Sequence, residues 1–230
     1  ESASIFAGAG FEVFVLPRPL PTPVLAFATQ ELNCDVGVMV TASHNPPEDN
    51  GYKVYLGGGD EGSQIIPPID AEIEAHIHDV AEHLAWQEIP KSQELVTQAP
   101  AHLVDDYLSS TLRSVDPSGK IHTELSVVYT PLHGVGEGTF LSAVHSAGMP
   151  AVHVVASQAK PDPKFPTVSF PNPEEKGALD LSFELAREVK ADLILANDPD
   201  ADRLALALPD PSSPAGYKAL TGNQLGAILG

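Results

Sequence analysis

Asp35-Val36-Gly37-Val38-Met39-Val40-Thr41 is a short apolar run rich in β-branched residues. Such a run predicts a strand buried on both faces of a parallel sheet. It leads directly into Ala42-Ser43-His44-Asn45-Pro46-Pro47-Glu48-Asp49-Asn50-Gly51-Tyr52-Lys53, so Ser43 is expected just past the carboxyl end of a core strand. In open α/β sheets that edge binds ligands, because the loops are exposed while the strands beneath them are rigid. Pro46 disfavours the α region at Asn45, and Pro47 does the same at Pro46, which keeps the serine from running into a helix. Asn50-Gly51 is a turn signal that folds the chain back through Tyr52-Lys53-Val54-Tyr55. His44 and Lys53 bring charge, hydrogen bonds or proton transfer to this loop. A Ser-His pair alone reads more simply as a solvated turn.

Outward from this loop the elements alternate. Phe11 to Leu16 reads as a strand, Thr22 to Leu32 as a helix after a proline-rich entry, and Val36 to Thr41 as the next strand, which together make a βαβ unit. Asp70 to Trp86 carries Ile73, Ile77, Val80 and Leu84 at helical spacing, the pattern of an amphipathic helix covering a sheet. His76, His78 and His83 on that helix read as surface residues, and Gly57-Gly58-Gly59 as a flexible turn. A second unit follows: helix Tyr107 to Val115, strand Leu125 to Thr130, helix Gly138 to Ala147 and strand Ala151 to Val155. After a proline-rich loop over 160–173 come helix Glu174 to Lys190 and strand Asp192 to Ala196, with Leu204 to Leu208 returning as a further strand. The fold class expected is α/β, with two successive mixed or parallel-sheet αβα domains over 1–110 and 111–209, and a third beginning over 210–230. The chain opens in the last turns of a helix and stops as a second helix, capped by Thr221, begins, before that helix could pack; it is expected to be a fragment of a longer chain.

Ala191-Asp192-Leu193-Ile194-Leu195-Ala196 is another strand-like run, and it ends in Asn197-Asp198-Pro199-Asp200-Ala201-Asp202-Arg203. Two unit charges about 4 Å apart repel by about 4 kcal/mol at an effective dielectric near 20, so three converging carboxylates call for a cation. Hard oxygen ligands of this kind suit Mg²⁺, and Arg203 could bind a phosphate or hold the loop. An EF-hand calcium loop also begins with alternating acids, but its sixth position would be Arg203 instead of glycine and its twelfth Pro209 instead of glutamate. A solvated acidic loop remains the plain alternative.

The 230 residues, 43% hydrophobic and 19% charged, suit a globular protein of one large or two modest domains. A formal charge of −19 argues against nucleic-acid and anionic-membrane partners. The single Cys34 precludes an internal disulfide and fits a cytoplasmic location. No signal peptide and no membrane-spanning run is apparent. Nothing in the sequence speaks to oligomeric state.

The serine loop and the acidic loop together closely resemble those of the α-D-phosphohexomutases, the family of phosphoglucomutase and phosphomannomutase. Its signatures are Thr-Ala/Gly-Ser-His-Asn-Pro-Pro followed by Asn-Gly-Tyr/Phe-Lys, and Asp-Gly-Asp-Gly-Asp-Arg. The resemblance implies that Ser43 is phosphorylated in the resting enzyme and that Asp198, Asp200 and Asp202 hold Mg²⁺, with Ser43 joining them through its phosphate. It further implies Lys53 in proton transfer or in holding the phosphate, His44 in orienting the loop, and Asn45 and Arg203 in contacts to substrate or phosphate. Thr130-Pro131-Leu132-His133-Gly134-Val135-Gly136 resembles a family loop beside the metal, which makes His133 a candidate there. The implied reaction is reversible phosphoryl transfer between C1 and C6 of a hexose phosphate, glucose or mannose, through a sugar 1,6-bisphosphate that also primes the enzyme. A phosphopentomutase or sugar bisphosphate synthase of the same family, a noncatalytic Mg²⁺- and phosphate-binding relative, and a phosphatase stay open. Pro199 and Ala201 replace both loop glycines, which questions the backbone freedom of the loop. The family's sugar-specificity loop and its distal phosphate loop are not in this sequence, so these residues alone are expected to bind metal weakly and to lack mutase activity.

Overall fold

The computed structural model describes residues 1–43, 45–46, 48–114, 124–149 and 152–230; His44 lies outside them. The chain forms two compact units: Glu1–Pro19, Leu25–Val38 and Val54–Asp105 make the first, while Leu20–Val24, Met39–Lys53 and Asp106–Gly230 make the second.

Up to residue 114 the elements are α1 (Ser2–Gly8), β1 (Val13–Val15), α2 (Thr22–Glu31), β2 (Val36–Val40), β3 (Tyr52–Leu56), β4 (Ser63–Gln64), α3 (Ile69–His83), β5 (Val96–Gln98) and α4 (Leu103–Ser114). β1 pairs in parallel with β5, Val13 opposite Val96. Beneath it Ala28, Ala99 and Leu103 form a small core with Leu16, Phe27 and Leu32.

Two expectations are corrected here. β2 does not lie beside β1 in a parallel sheet; it neighbours β3, which pairs with β4 in antiparallel fashion. Nor is it buried throughout, since Val36 and Val40 are 37% and 57% exposed. The reason is locality: the chain returns within about ten residues, Thr41 N–H donating to Gly51 O at 3.1 Å, and a short loop closes at low entropic cost. α3 has the helical spacing expected of it but no buried residue, and Ile77 is 61% exposed. Periodicity defines an apolar face without supplying what covers it. His76, His78 and His83 are exposed, as expected.

The second unit is built on a five-stranded sheet ordered β10-β9-β8-β6-β7. Its strands are β6 (Val127–Thr130), β7 (Val152–Val154), β8 (Leu193–Asn197), β9 (Leu204–Pro209) and β10 (Tyr217–Ala219), with helices α5 (Glu137–Ser146), α6 (Asp180–Val189) and α7 (Gly222–Leu229). β6 is flanked in parallel by β7 and β8, and β9 and β10 continue in antiparallel fashion. Strand alternation aims neighbouring side chains at opposite faces. Val128 and Ile194, opposite one another in register, join Ala186 of α6 and Tyr217 in the main core, whereas Tyr129 stacks on Phe140 of α5 with ring centroids 3.9 Å apart. Helices thus cover both faces of a mixed sheet. Val128 and Ile194 are 0% and 1% exposed, each contributing about 2 kcal/mol of apolar burial before entropy. α6 begins later than expected, at Asp180, because residues 174–179 form turns. Thr221 caps α7 as its sequence predicts, accepting from the Gln224 N–H. No helix among the described residues is long and apolar enough to cross a membrane.

Candidate functional site

β8 delivers the acidic loop at the carboxyl edge of the sheet. Ala201 N–H donates to Asp198 O at 3.0 Å, closing a turn whose second residue is Pro199, where a fixed φ is favourable. Ala201 has φ 54°, a left-handed conformation that costs a residue with a Cβ about 1 kcal/mol. The missing glycines therefore leave the turn formed, with strain concentrated at Ala201. Further bonds tie the loop. Arg203 N–H donates to Asp198 Oδ1 at 2.9 Å, Asn197 Nδ2 donates to Arg203 O at 2.6 Å, and the Tyr129 hydroxyl donates to Asn197 Oδ1 at 2.8 Å. Val135 N–H donates to Pro199 O at 2.8 Å, and a Cβ on Gly134 would fall 2.2 Å from that oxygen. Only glycine permits so close an approach.

Ser43, three residues past β2, also has a left-handed backbone with φ 51°. Its N–H donates to Thr41 Oγ1 at 3.0 Å, the local side-chain turn that serine and threonine favour. Its hydroxyl is directed at the aspartates, 2.5 Å from Asp200 Oδ1 and 3.0 Å from Asp198 Oδ2. Lys53 Nζ donates to Asp200 Oδ2 at 2.6 Å and to Asp202 Oδ2 at 2.7 Å. Thr22 adds a hydroxyl donation to Asp200 Oδ2 at 3.1 Å.

Asp198 and Asp200 are 0% and 3% exposed. Burial, aided by a hydrogen bond to Asp200 and the charges of Asp200 and Asp202, pushes the Asp198 carboxyl up to about 7, against relief from the Arg203 N–H. Burial would raise Asp200 too, but hydrogen bonds from Asp198, Lys53 and Ser43 hold it below the ordinary carboxylate value. Burial opposes the charge on Lys53, yet its bonds to Asp200 and Asp202 raise it above the usual lysine value. One ammonium thus faces three carboxylates whose oxygens lie within 4.8 Å of one another. An all-oxygen donor set with negative charge in excess fits a hard divalent cation.

The sequence candidates do not all converge. Ser43, Lys53, Asp198, Asp200 and Asp202 come together. The Arg203 side chain is exposed, as is Asn45, whose N–H donates to Ala42 O at 2.9 Å. His133 is 4% exposed and its Nε2 lies 2.8 Å from Thr167 Oγ1, in a network where Gln158 Nε2 donates to the same hydroxyl at 2.9 Å. Burial lowers its pKa, against the Asp162 charge and a hydrogen bond to the Lys160 backbone. Thr22, Tyr129 and Asn197 were not among the sequence candidates. Thr22 stands between Pro21 and Pro23 and reads locally only as a helix start.

Residues 1–83 match the family model described as phosphoglucomutase/phosphomannomutase, alpha/beta/alpha domain I, and residues 105–211 match the corresponding domain II. The chain is 50% identical over 231 residues to a protein of Haemophilus influenzae named "Probable phosphomannomutase", covering 100% of this chain and 46% of that protein. It is 41% identical over 234 residues to the Homo sapiens phosphopentomutase, covering 100% of this chain and 37% of that one. Phosphoribomutase of Saccharomyces cerevisiae is 38% identical over 249 residues, covering 99% of this chain and 39% of that protein. The chain thus spans less than half the length of these relatives. Among solved structures, a phosphoglucomutase/phosphomannomutase family protein of Burkholderia thailandensis superposes with TM-score 0.69 at 21% identity, over 91% of this chain and 42% of that one; at that identity the likeness is one of fold.

Proposed function

The chain belongs to the phosphoglucomutase/phosphomannomutase family, and from that premise we propose that it carries the phosphoserine and metal-binding loops of a sugar-phosphate mutase. The reaction is reversible phosphoryl transfer between C1 and C6 of a hexose phosphate, glucose or mannose, through phosphorylated Ser43 and a sugar 1,6-bisphosphate. The observation that carries this reading is the Ser43 hydroxyl placed 2.5 Å from Asp200 and 3.0 Å from Asp198, across 157 and 155 residues of sequence.

Asp198, Asp200 and Asp202 would hold Mg²⁺, which when bound offsets the charge of the transferring phosphoryl group. Ser43 accepts and returns that group. It is 9% exposed, and a phosphoserine shielded from water survives to meet a sugar hydroxyl instead of being hydrolysed, which favours mutase over phosphatase. Lys53 holds Asp200 and Asp202 and neutralises part of their charge. Arg203 and Asn45, exposed at the same loops, are available to substrate or phosphate; His44 and His133 complete the proposed set as loop-orienting groups. Residues 210–230 opening a third domain, and a cytoplasmic setting, belong to the same proposal.

Transfer between C1 and C5 of a pentose phosphate is the second reading, favoured by the 41% and 38% identity to a phosphopentomutase and a phosphoribomutase. Turnover of glucose 1-phosphate, mannose 1-phosphate and ribose 1-phosphate by the natural full-length protein, with and without sugar bisphosphate, separates the two. Free phosphate as the main product would overturn both.

A further inference from the structure

Asp200 is held at both of its carboxylate oxygens. Its Oδ1 receives Ser43, while its Oδ2 receives Lys53 Nζ at 2.6 Å and the Thr22 hydroxyl at 3.1 Å. Thr22 bonds the same residue twice, because its N–H also donates to the Asp200 carbonyl oxygen at 2.9 Å. Thr22 is 1% exposed and sits 178 residues away in sequence, just after Pro21 and at the start of α2, where the backbone is rigid.

We propose that Thr22 is a positioning residue that fixes the rotation of the Asp200 carboxylate, reserving Oδ2 for Lys53 and Thr22 and leaving Oδ1 turned toward Ser43 and the cation. The inference rests on the metal-site reading above. The backbone bond sets where Asp200 sits, and the hydroxyl bond sets which oxygen points inward. Lys53 alone does not do the latter, since its Nζ is shared with Asp202 and its three donors rotate freely. Partners of this kind, bonded to a ligand and not to the metal, govern affinity by removing the cost of orienting the ligand.

The test is Mn²⁺ binding to the natural full-length protein, followed by paramagnetic resonance of the free ion, for wild type, Thr22→Val, Thr22→Ser and Asp202→Asn. Thr22→Val keeps shape and backbone bond but removes the hydroxyl; it is expected to weaken Mn²⁺ about tenfold, while Thr22→Ser stays within about twofold of wild type. Serine also covers the case in which valine fails to fold: Thr22→Ala then replaces it, compared with serine at equal thermal midpoint. Wild-type affinity in folded Thr22→Val or Thr22→Ala would overturn the role of Thr22 alone. Binding that Asp202→Asn leaves unchanged would overturn the metal site itself, and Thr22 with it.

Discussion

Lys53 Nζ donates to Asp200 Oδ2 at 2.6 Å, a contact between residues 147 apart in sequence, and a second bond of 2.7 Å carries it to Asp202. Together with the Ser43 hydroxyl bonds to Asp198 and Asp200, this ammonium ties the chain that carries the serine loop to the aspartate loop. Lys53→Met is expected to cost about 1 to 3 kcal/mol of stability, short of a fully buried pair because Lys53 and Asp202 keep some exposure. Saturating Mg²⁺ should recover part of the loss, since it binds the folded protein only. Urea unfolding with and without Mg²⁺ checks both parts.

Asp198 is the member of the cluster that most resists ionisation. Burial first, and its neighbours second, lift its carboxyl from 3.8 to about 7. A carboxyl raised in the folded state contributes stability below its unfolded value, and that contribution is lost as pH rises through about 7. Asp198→Asn is therefore expected to stabilise the metal-free protein above neutral pH, by about 2 kcal/mol, while abolishing tight metal binding. In wild type the ion must displace the Asp198 proton, so Mg²⁺ affinity should fall by up to about tenfold per unit below pH 7. Calorimetric titrations at several pH values read the proton release directly.

Gly134 and Gly138 form a matched pair of tests. A Cβ at Gly134 would meet the Pro199 backbone at 2.2 to 2.5 Å, whereas at Gly138 it would meet nothing within 4 Å. Gly134→Ala should displace the aspartate loop, costing about 1 to 3 kcal/mol and weakening metal binding. Gly138→Ala, at an exposed site early in α5, should stabilise by about 0.5 kcal/mol. Thermal unfolding of the two variants gives opposite signs.

Burial depresses the His133 pKa below the ordinary 6.5, against the Asp162 charge and a bond to the Lys160 backbone. A depressed histidine contributes stability that is complete above the unfolded value and is lost as pH falls through the folded one. Between pH 7 and pH 5 the wild type should therefore lose more stability than His133→Asn. Asparagine suits the test because it tolerates the left-handed backbone found there, φ 59°. Unfolding free energy measured across that pH range provides the comparison.

Local chemistry made much of this protein legible. The strand-then-serine run and the strand-then-aspartate run each announce a sheet edge, and both loops stand where their strands end. Thr221 and its glutamine write the cap of α7 in the sequence. Pairing was less readable: β2 takes β3 as its neighbour because the chain comes back within about ten residues, Gly51 already opposite Thr41, and the hydrophobic run itself specifies burial without naming a partner. β5 and β10, three residues each, are too short for periodicity to mark. In the site, Ser43 and the aspartates are chemically conspicuous, while Thr22 is an ordinary threonine until the fold sets it against Asp200. Tyr129 and Asn197 are likewise hidden, since a strand tyrosine and a strand-end asparagine acquire meaning only through the bond between them.

The direct test of phosphoryl transfer through Ser43 uses a sugar bisphosphate carrying labelled phosphate, the natural full-length protein and Mg²⁺, with peptide mapping after a rapid quench. The expected result is label on the Ser43 peptide, chased onto sugar when unlabelled sugar monophosphate follows, and absent from Ser43→Ala, whose turnover should fall at least about a thousandfold. Label on another residue, or release of the label only as free phosphate, would contradict it.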